Sequence, residues 1–300
     1  MIYLLRGETM RRSVIFYYSG TGNTWYVANK LKHYLANNTG PCDILSIEDL
    51  SILTVKSKIN NADIIGFGFP IYASDIPDPM KQFMQKIRIS KEKKVMLFCT
   101  QHFFSGDGTR IATEFLNVSN EQIMWAKHFN MPNNICFTNK LKYTNDKNKI
   151  NNILKKTNIE IKKFSICISQ NRKFLQDFST KYKILGNLQR PLYRKFVRFF
   201  RGKFKIDTDK CSCCGICFNV CPVDNIVYKN SKYIIKKNCA LCMRCYNFCP
   251  NEAIIFNNKP RPKKYGIPYR GPTKTYMKNL IDSKRIEKIK KEERDLLNKK

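Results

Sequence analysis

Residues 13–24 read SVIFYYSGTGNT. The first six form an unbroken apolar run of strand-forming side chains, the pattern of a strand buried on both faces. The next six, Ser19, Gly20, Thr21, Gly22, Asn23 and Thr24, combine glycines with hydroxyls, and Ala28, Leu31 and Leu35 then recur at helical spacing. A strand, a hydroxyl- and glycine-rich turn and a helix together make a phosphate cradle. Amides at the helix start point at the anion, glycine lets the backbone approach, and hydroxyls add donors. A nucleotide-hydrolysing P-loop would carry Lys before its final Ser/Thr, where this chain has Asn23, and no G-x-G-x-x-G run is present.

A loop without a cation suits a terminal monophosphate held by neutral donors, which favours FMN; a plain Ser/Thr turn is the alternative. Further apolar runs at 42–46, 63–69 (DIIGFGF), 95–99 and 123–130 read as strands two to five. Helical stretches fall near 79–87 and 108–116, and another follows from about Lys147. This alternation predicts an α/β fold, a doubly wound parallel sheet of five strands. Ligands of such sheets sit beyond the carboxyl ends of the strands, where loops 19–24, 70–75 and 100–108 converge.

Ser19, Thr21, Gly22 and Thr24 match [ST]-x-T-G-x-T, and the segment resembles the flavodoxin family on that motif. The resemblance implies FMN, with its phosphate on 19–24 and its ring between the loops after strands three and four. It places Pro70, Tyr72, Ala73, Thr100, His102, Phe103, Phe104, Gly106 and Asp107 at the cofactor. Tyr72, Phe103 and Phe104 read equally well as core, and His102 as a solvent-facing loop residue. His33 and His128 carry no partner pattern.

Thirteen cysteines are present, nine of them between Cys211 and Cys249. The spacing C-x2-C-x2-C-x3-C-P occurs at Cys211, Cys214, Cys217, Cys221 and Pro222, and again 28 residues on at Cys239, Cys242, Cys245, Cys249 and Pro250. Three closely spaced thiolates converge on one cubane cluster, while the fourth points away to complete the other. Cluster one therefore takes Cys211, Cys214, Cys217 and Cys249, and cluster two takes Cys239, Cys242, Cys245 and Cys221. Cys213 falls outside the motif and reads as a packed thiol.

The 28-residue offset also aligns Asp224 with Glu252, Ile226 with Ile254, Tyr228 with Phe256 and Asn230 with Asn258, as two half-units about a pseudo-twofold would. Apolar residues such as Ile216, Ile226, Ile254 and Phe256 are expected around the clusters. Zinc and unligated thiols are the alternatives, but zinc sites use two Cys pairs rather than two interlocked quartets. Residues 205–258 resemble a bacterial ferredoxin with two [4Fe–4S] clusters, and the whole chain resembles the flavodoxin–ferredoxin fusion proteins of anaerobic bacteria and archaea. Lys210, Lys229, Lys232, Lys236, Lys237 and Arg244 replace the acidic surface common in ferredoxins.

With 55 Lys+Arg against 23 Asp+Glu, the net charge is +32. Such a surplus favours acidic redox partners, and genomic bias toward Lys, Asn and Ile contributes to it. Residues 181–205 carry nine Lys/Arg and no acid, interleaved with aromatics. That segment reads as a basic connector anchored by its aromatics, or as an amphipathic segment meeting an acidic partner or an anionic membrane. No apolar run reaches the roughly 18 residues of a membrane span, and no RNA-reading motif is present.

No export signal is legible, so cysteines at metal-ligand spacing point to the reducing cytoplasm. The expected organisation is a leader at 1–12, with translation starting at Met10, a flavodoxin-like domain at 13–172 and a connector at 173–204. A ferredoxin domain at 205–258 and a basic tail at 259–300 follow. The expected function is electron transfer between two [4Fe–4S] clusters and FMN. A flavin-dependent oxidoreductase, with an open cavity above Tyr72 and His102, and a flavin-free redox sensor are the other readings.

Overall fold

The computed structural model describes residues 10–48, 50–72, 74–102, 104–135, 146–262 and 268–281. Ala73, Phe103, 1–9 of the leader and 282–300 of the tail lie outside the described residues. β1 (Ser13–Tyr17) is buried along its whole length. Side chains alternate across a strand, so Val14 and Phe16 enter one core layer, while Ile15 and Tyr17 enter the other.

α1 (Asn23–Asn38), β2 (Cys42–Ser46), α2 (Ile52–Asn60), β3 (Ile64–Pro70), α3 (Asp78–Lys86), β4 (Lys94–Gln101), β5 (Ile123–Asn130) and α4 (Lys147–Ser169) follow in alternation. The pairings β1–β2, β1–β3, β3–β4 and β4–β5 are all parallel. Val55 and Ile59 of α2 and Met80 and Met84 of α3 cover one face. Val27, Leu31 and Leu35 of α1 with Ile161 and Phe164 of α4 cover the other. The stretch expected to be helical near 108–116 is a 3-10 turn over Arg110–Phe115.

The sheet has six strands rather than the expected five, in the order β2-β1-β3-β4-β5-β6. β6 (Phe174–Leu175) pairs parallel with Trp125 and Ala126 of β5, supported by Trp125 Nε1 donating to the Arg172 carbonyl at 2.9 Å. Two residues are too few for a hydrophobic period, and the strand exists because α4 returns the chain to this edge. Within the expected connector, 180–200 form one helix, α5 (Thr180–Phe200), which runs on through Pro191.

The rest of the chain adds β7 (Phe204–Ile206), α6 (Ile216–Asn219), β8 (Ile226–Lys229), β9 (Lys232–Ile235), α7 (Arg244–Phe248), β10 (Ile254–Phe256) and α8 (Lys274–Ile281). β7 pairs antiparallel with β10, and β8 with β9. Left-handed backbone recurs at the 28-residue offset: Cys213 and Leu241, Gly215 and Met243, Asp224 and Glu252, Asn230 and Asn258 all have φ between 48° and 75°. Three of these pairs contain no glycine, so each half-unit accepts strain at matching places. Phe204, Ile226, Tyr246, Ile254 and Phe256 form this unit's core together with Cys217, Cys221 and Cys249.

Candidate cofactor sites at the carboxyl end of the sheet

Gly22 caps α1 with φ 107°, a conformation that costs glycine little. Thr24 Oγ1 lies 2.8 Å from Thr100 Oγ1, tying the first loop to the end of β4, where Thr100 pairs with Pro70. Ser19 Oγ accepts from the Trp25 amide at 3.3 Å, and Thr21 Oγ1 from Asn134 Nδ2 at 3.0 Å. Among the described residues, nothing accepts from the amides of Gly20, Thr21, Gly22, Asn23 or Thr24. Of these five residues only Asn23 is not fully buried. Unpartnered buried amides are costly, and an anion such as a phosphate would satisfy this row. The loop therefore fits the phosphate of FMN by the chemistry of its donors.

The loop itself carries no cation, but one covers it. Arg244, counted from sequence as surface charge, is 1% exposed. Its Nε donates to the Gly20 carbonyl at 2.9 Å and its Nη2 to the Ser19 carbonyl at 2.5 Å. Nη1 and Nη2 grip Glu48 at 2.7 and 2.5 Å, and further bonds reach the Val220 carbonyl and Tyr276 Oη. Every guanidinium N–H is thereby used, so Arg244 clasps two units and leaves nothing for a phosphate. The Cys242 carbonyl lies against Gly20, where a Cβ would come within 2.8 Å of it. Tyr276 Oη donates to Ser19 O at 2.9 Å, and Tyr269 Oη to Asn23 Oδ1 at 2.6 Å.

The ring-side residues are not all brought together. Tyr72 is 8% exposed, 6.4 Å from Tyr193 of α5 between ring centroids, whereas His102 and Phe104 are exposed. Asp107 is fully buried, bonded by Arg190 at 2.5 Å and Arg110 at 2.7 Å, and Gly106 (φ 56°) lies against Gly186. Arg190 also donates to the Ser74 carbonyl at 3.2 Å, so α5 straps the loops after β3 and β4. Among the described residues the buried Tyr18 and Tyr72 hydroxyls have no hydrogen-bond partner. Burial holds both phenols well above their ordinary range, with the neighbouring Cys242 adding to the effect. Both stay neutral donors beside that cysteine.

The cysteines gather in two sets. Cys221, Cys239, Cys242 and Cys245 line one cavity together with Phe204, Val223, Ile226, Ile235 and Met243. Burial pushes the Cys239 thiol up to about 12 and Cys242 up to about 11; neighbouring members of this set push the same way. Cys217 is raised to about 12 by burial and then by Cys249, Cys214 and Cys211, which surround it. Equivalent amides serve equivalent sulfurs: Asn225 N donates to Cys221 Sγ and Ala253 N to Cys249 Sγ, each at 3.2 Å.

Among the described residues no three His, Cys, Asp or Glu groups converge as around a single metal ion. A cubane needs something different, four thiolates each on its own iron and spread around a cage. The cavity donors fit that requirement. Cys213 is exposed rather than packed, because its left-handed backbone turns it outward from the motif. Ile216 packs by Val220, Phe248 and Tyr276, away from the cysteine core.

His128, which carried no sequence signal, is enclosed. Its Nδ1 lies 3.1 Å from Ser105 Oγ and 3.2 Å from Asp177 Oδ2, and its Nε2 accepts from the Thr109 amide at 3.3 Å. Burial, resisted by Asp177, pushes it down to about 4. The unfolded chain then binds the proton first, so stability is full above pH 6.5 and falls as the pH drops toward 4. The unfolding free energy from urea titrations should decline over that window by up to about 3 kcal/mol. His128→Asn should flatten the decline, and an unchanged slope would assign it to other groups.

A flavodoxin domain family model matches residues 14–160, just under half of the chain. The chain carries a flavodoxin-like domain. Similar solved structures include a flavodoxin from the domain Archaea, 15% identical, with TM-score 0.36 over 53% of this chain and 96% of that one. General stress protein 14 of Treponema denticola, solved in complex with FMN, is 9% identical, with TM-score 0.36 over 53% of this chain and 99% of that one. The rubredoxin oxygen:oxidoreductase of Desulfovibrio gigas is 17% identical, with TM-score 0.32 over 51% of this chain and only 36% of that one. No curated protein matches the chain.

Proposed function

Starting from a flavodoxin-like domain at residues 14–160, we propose that the chain is an electron-transfer protein with two [4Fe–4S] clusters and FMN. The observation that carries this reading is the shared cavity of Cys221, Cys239, Cys242 and Cys245, whose Cys242 also joins the core of the flavodoxin-like sheet. Cys211, Cys214, Cys217 and Cys249 would hold the other cluster, and the amides of 20–24 the FMN phosphate. When bound, such clusters exchange single electrons and a flavin one or two.

The chain's own residues give the two cysteine sets different exposure. Cys214 is exposed and Cys211 half-buried, whereas Cys221 and Cys242 are buried. Each set also has two buried members, so Cys214 alone makes the first set the one nearer to partners. Phe204, Ile226 and Met243 keep water from the second set. Amide donors at Cys221 and Cys249 stabilise thiolate charge, which raises a cluster's potential. Acidic redox proteins suit the basic surface.

A second reading has one observation behind it. A cavity of about 240 Å³ is lined by Tyr72, Tyr193 and Ala240 and by charges of both signs, Asp75, Asp78, Lys81, Arg194 and Arg198. It meets Tyr72 as the oxidoreductase reading expects, but His102 does not line it. Ala240 also borders the second cysteine cavity, so a small polar molecule here would lie next to it.

Anaerobic purification followed by iron, sulfide and flavin analysis tests the main reading. About eight irons and one FMN per chain are expected. Eight irons without flavin, even after adding FMN, would remove the flavin half. Bound zinc without iron would remove the whole reading.

A further inference from the structure

α5 buries only one side. Gly186 and Arg190 are buried, and Tyr193, Phe196 and Phe200 face the rest of the molecule. On the other side Ile184, Leu188, Leu192 and Phe199 are 54%, 67%, 74% and 62% exposed. At 3.6 residues per turn these four fall within an arc of about 80° and extend about 22 Å along the axis. Large side chains left in water in such a row mark a contact surface.

The surroundings of the row say what it contacts. Lys181, Lys183, Arg194, Lys195 and Arg198 are exposed on the same helix, and 180–200 contain no acid. By helical angle Lys181 and Lys195 lie within the apolar row, where their stems can lie along a hydrocarbon surface while the ammonium groups reach outward. We propose that α5 is an interfacial helix that seats this protein on an anionic phospholipid membrane. The row would enter the headgroup boundary and the cations would meet lipid phosphates, as amphipathic basic helices do. A protein partner is less well matched, because the row is a convex ridge with few polar groups for specific pairing. No described helix is long and apolar enough to cross a membrane, so the contact is peripheral.

Arg190 and Gln189 fasten the buried side of α5 to Asp107 and Ser74, so the helix is already formed and oriented. Binding therefore needs no folding step, which lowers its entropic cost. The cavity beside Ala240 opens along the same helix through Arg194 and Arg198, so docking would bring it near the lipid.

The test is sedimentation of the purified full chain with vesicles of phosphatidylcholine, alone or with one-third phosphatidylglycerol. Binding to the anionic vesicles is expected, at least about tenfold weaker to the neutral ones. The L188E/L192E variant should lose at least about tenfold, while Leu53→Glu, 75% exposed on α2, should bind as wild type. Circular dichroism confirms that the variants fold. Absence of binding to anionic vesicles overturns the proposal. Binding that survives L188E/L192E also overturns it, and assigns the attraction to another basic surface.

Discussion

Glu48→Gln should destabilise the chain by about 3–5 kcal/mol and loosen the C-terminal unit from the sheet. Glu48 supplies two of the bonds that hold Arg244, at 2.7 and 2.5 Å, and is its only ion-pair partner among the described residues. The others are the carbonyls of Ser19, Gly20 and Val220 and the Tyr276 hydroxyl. With the carboxylate gone, a guanidinium only 1% exposed keeps its charge and loses its counter-ion. An arginine does not escape by deprotonating, so the cost falls on the packing that buries it. The first response should be local: faster hydrogen exchange at 19–24 and 244–248 with the sheet core still protected.

The double variant E48L/R244M separates charge burial from simple lost contact. Removing both partners together should recover most of the stability, since buried pairs often tolerate apolar replacement. A Glu48→Gln chain within about 1 kcal/mol of wild type would show that water reaches Arg244 and that the clasp is weak. Opening of the clasp also bears on the phosphate loop. Because Arg244, Tyr276 and the Cys242 carbonyl cover 19–24, FMN should enter the Glu48→Gln variant faster than the wild type.

The doubly wound sheet was readable because its information is local. SVIFYY is apolar on both alternating faces, and the turn that follows announces the start of α1 by composition alone. The cysteine runs were readable for the same reason, since spacing within ten residues fixes which sulfurs share a turn. What escaped depends on distance along the chain. Arg244 meets Ser19 across 225 residues, and no period or motif marks an arginine as buried. β6 is two residues long.

α5 was masked by Gly186 and Pro191, both poor in helix interiors. Its helix is sustained from outside, by Arg190 on Asp107 and Gln189 on Ser74. The ring-side residues lay between these cases. Proximity to the carboxyl ends of the strands was legible for Tyr72 and His102. Orientation was not, because it depends on the strap formed by α5. The repeated left-handed backbone at Cys213 and Leu241, or Asp224 and Glu252, was also hidden, since none of these residues advertises positive φ as glycine does.

Substituting cysteines one at a time should remove iron in two crossed groups. Cys221→Ala, although it alters the first run, should lose about half the iron together with the signal that Cys242→Ala loses. Cys249→Ala, in the second run, should instead behave as Cys217→Ala does. The placement of the side chains accords with this crossing: Cys239, Cys242 and Cys221 act on Cys245 ahead of Cys217, and Cys249, Cys214 and Cys211 act on Cys217. Cys213→Ala should retain all the iron, because Cys213 is exposed and stands outside both sets.

Stability should follow the metal. The unit of 204–256 has only two-stranded sheets and very short helices, and burial raises its thiols, Cys242 among them. Metal binding would draw off those protons and join the cysteine-bearing segments, so chelation should unfold this unit before the flavodoxin-like sheet. Loss of iron confined to the run that carries each mutation would mean that each run closes its own site. The interlock would then be wrong, even if the total iron came out at about eight per chain.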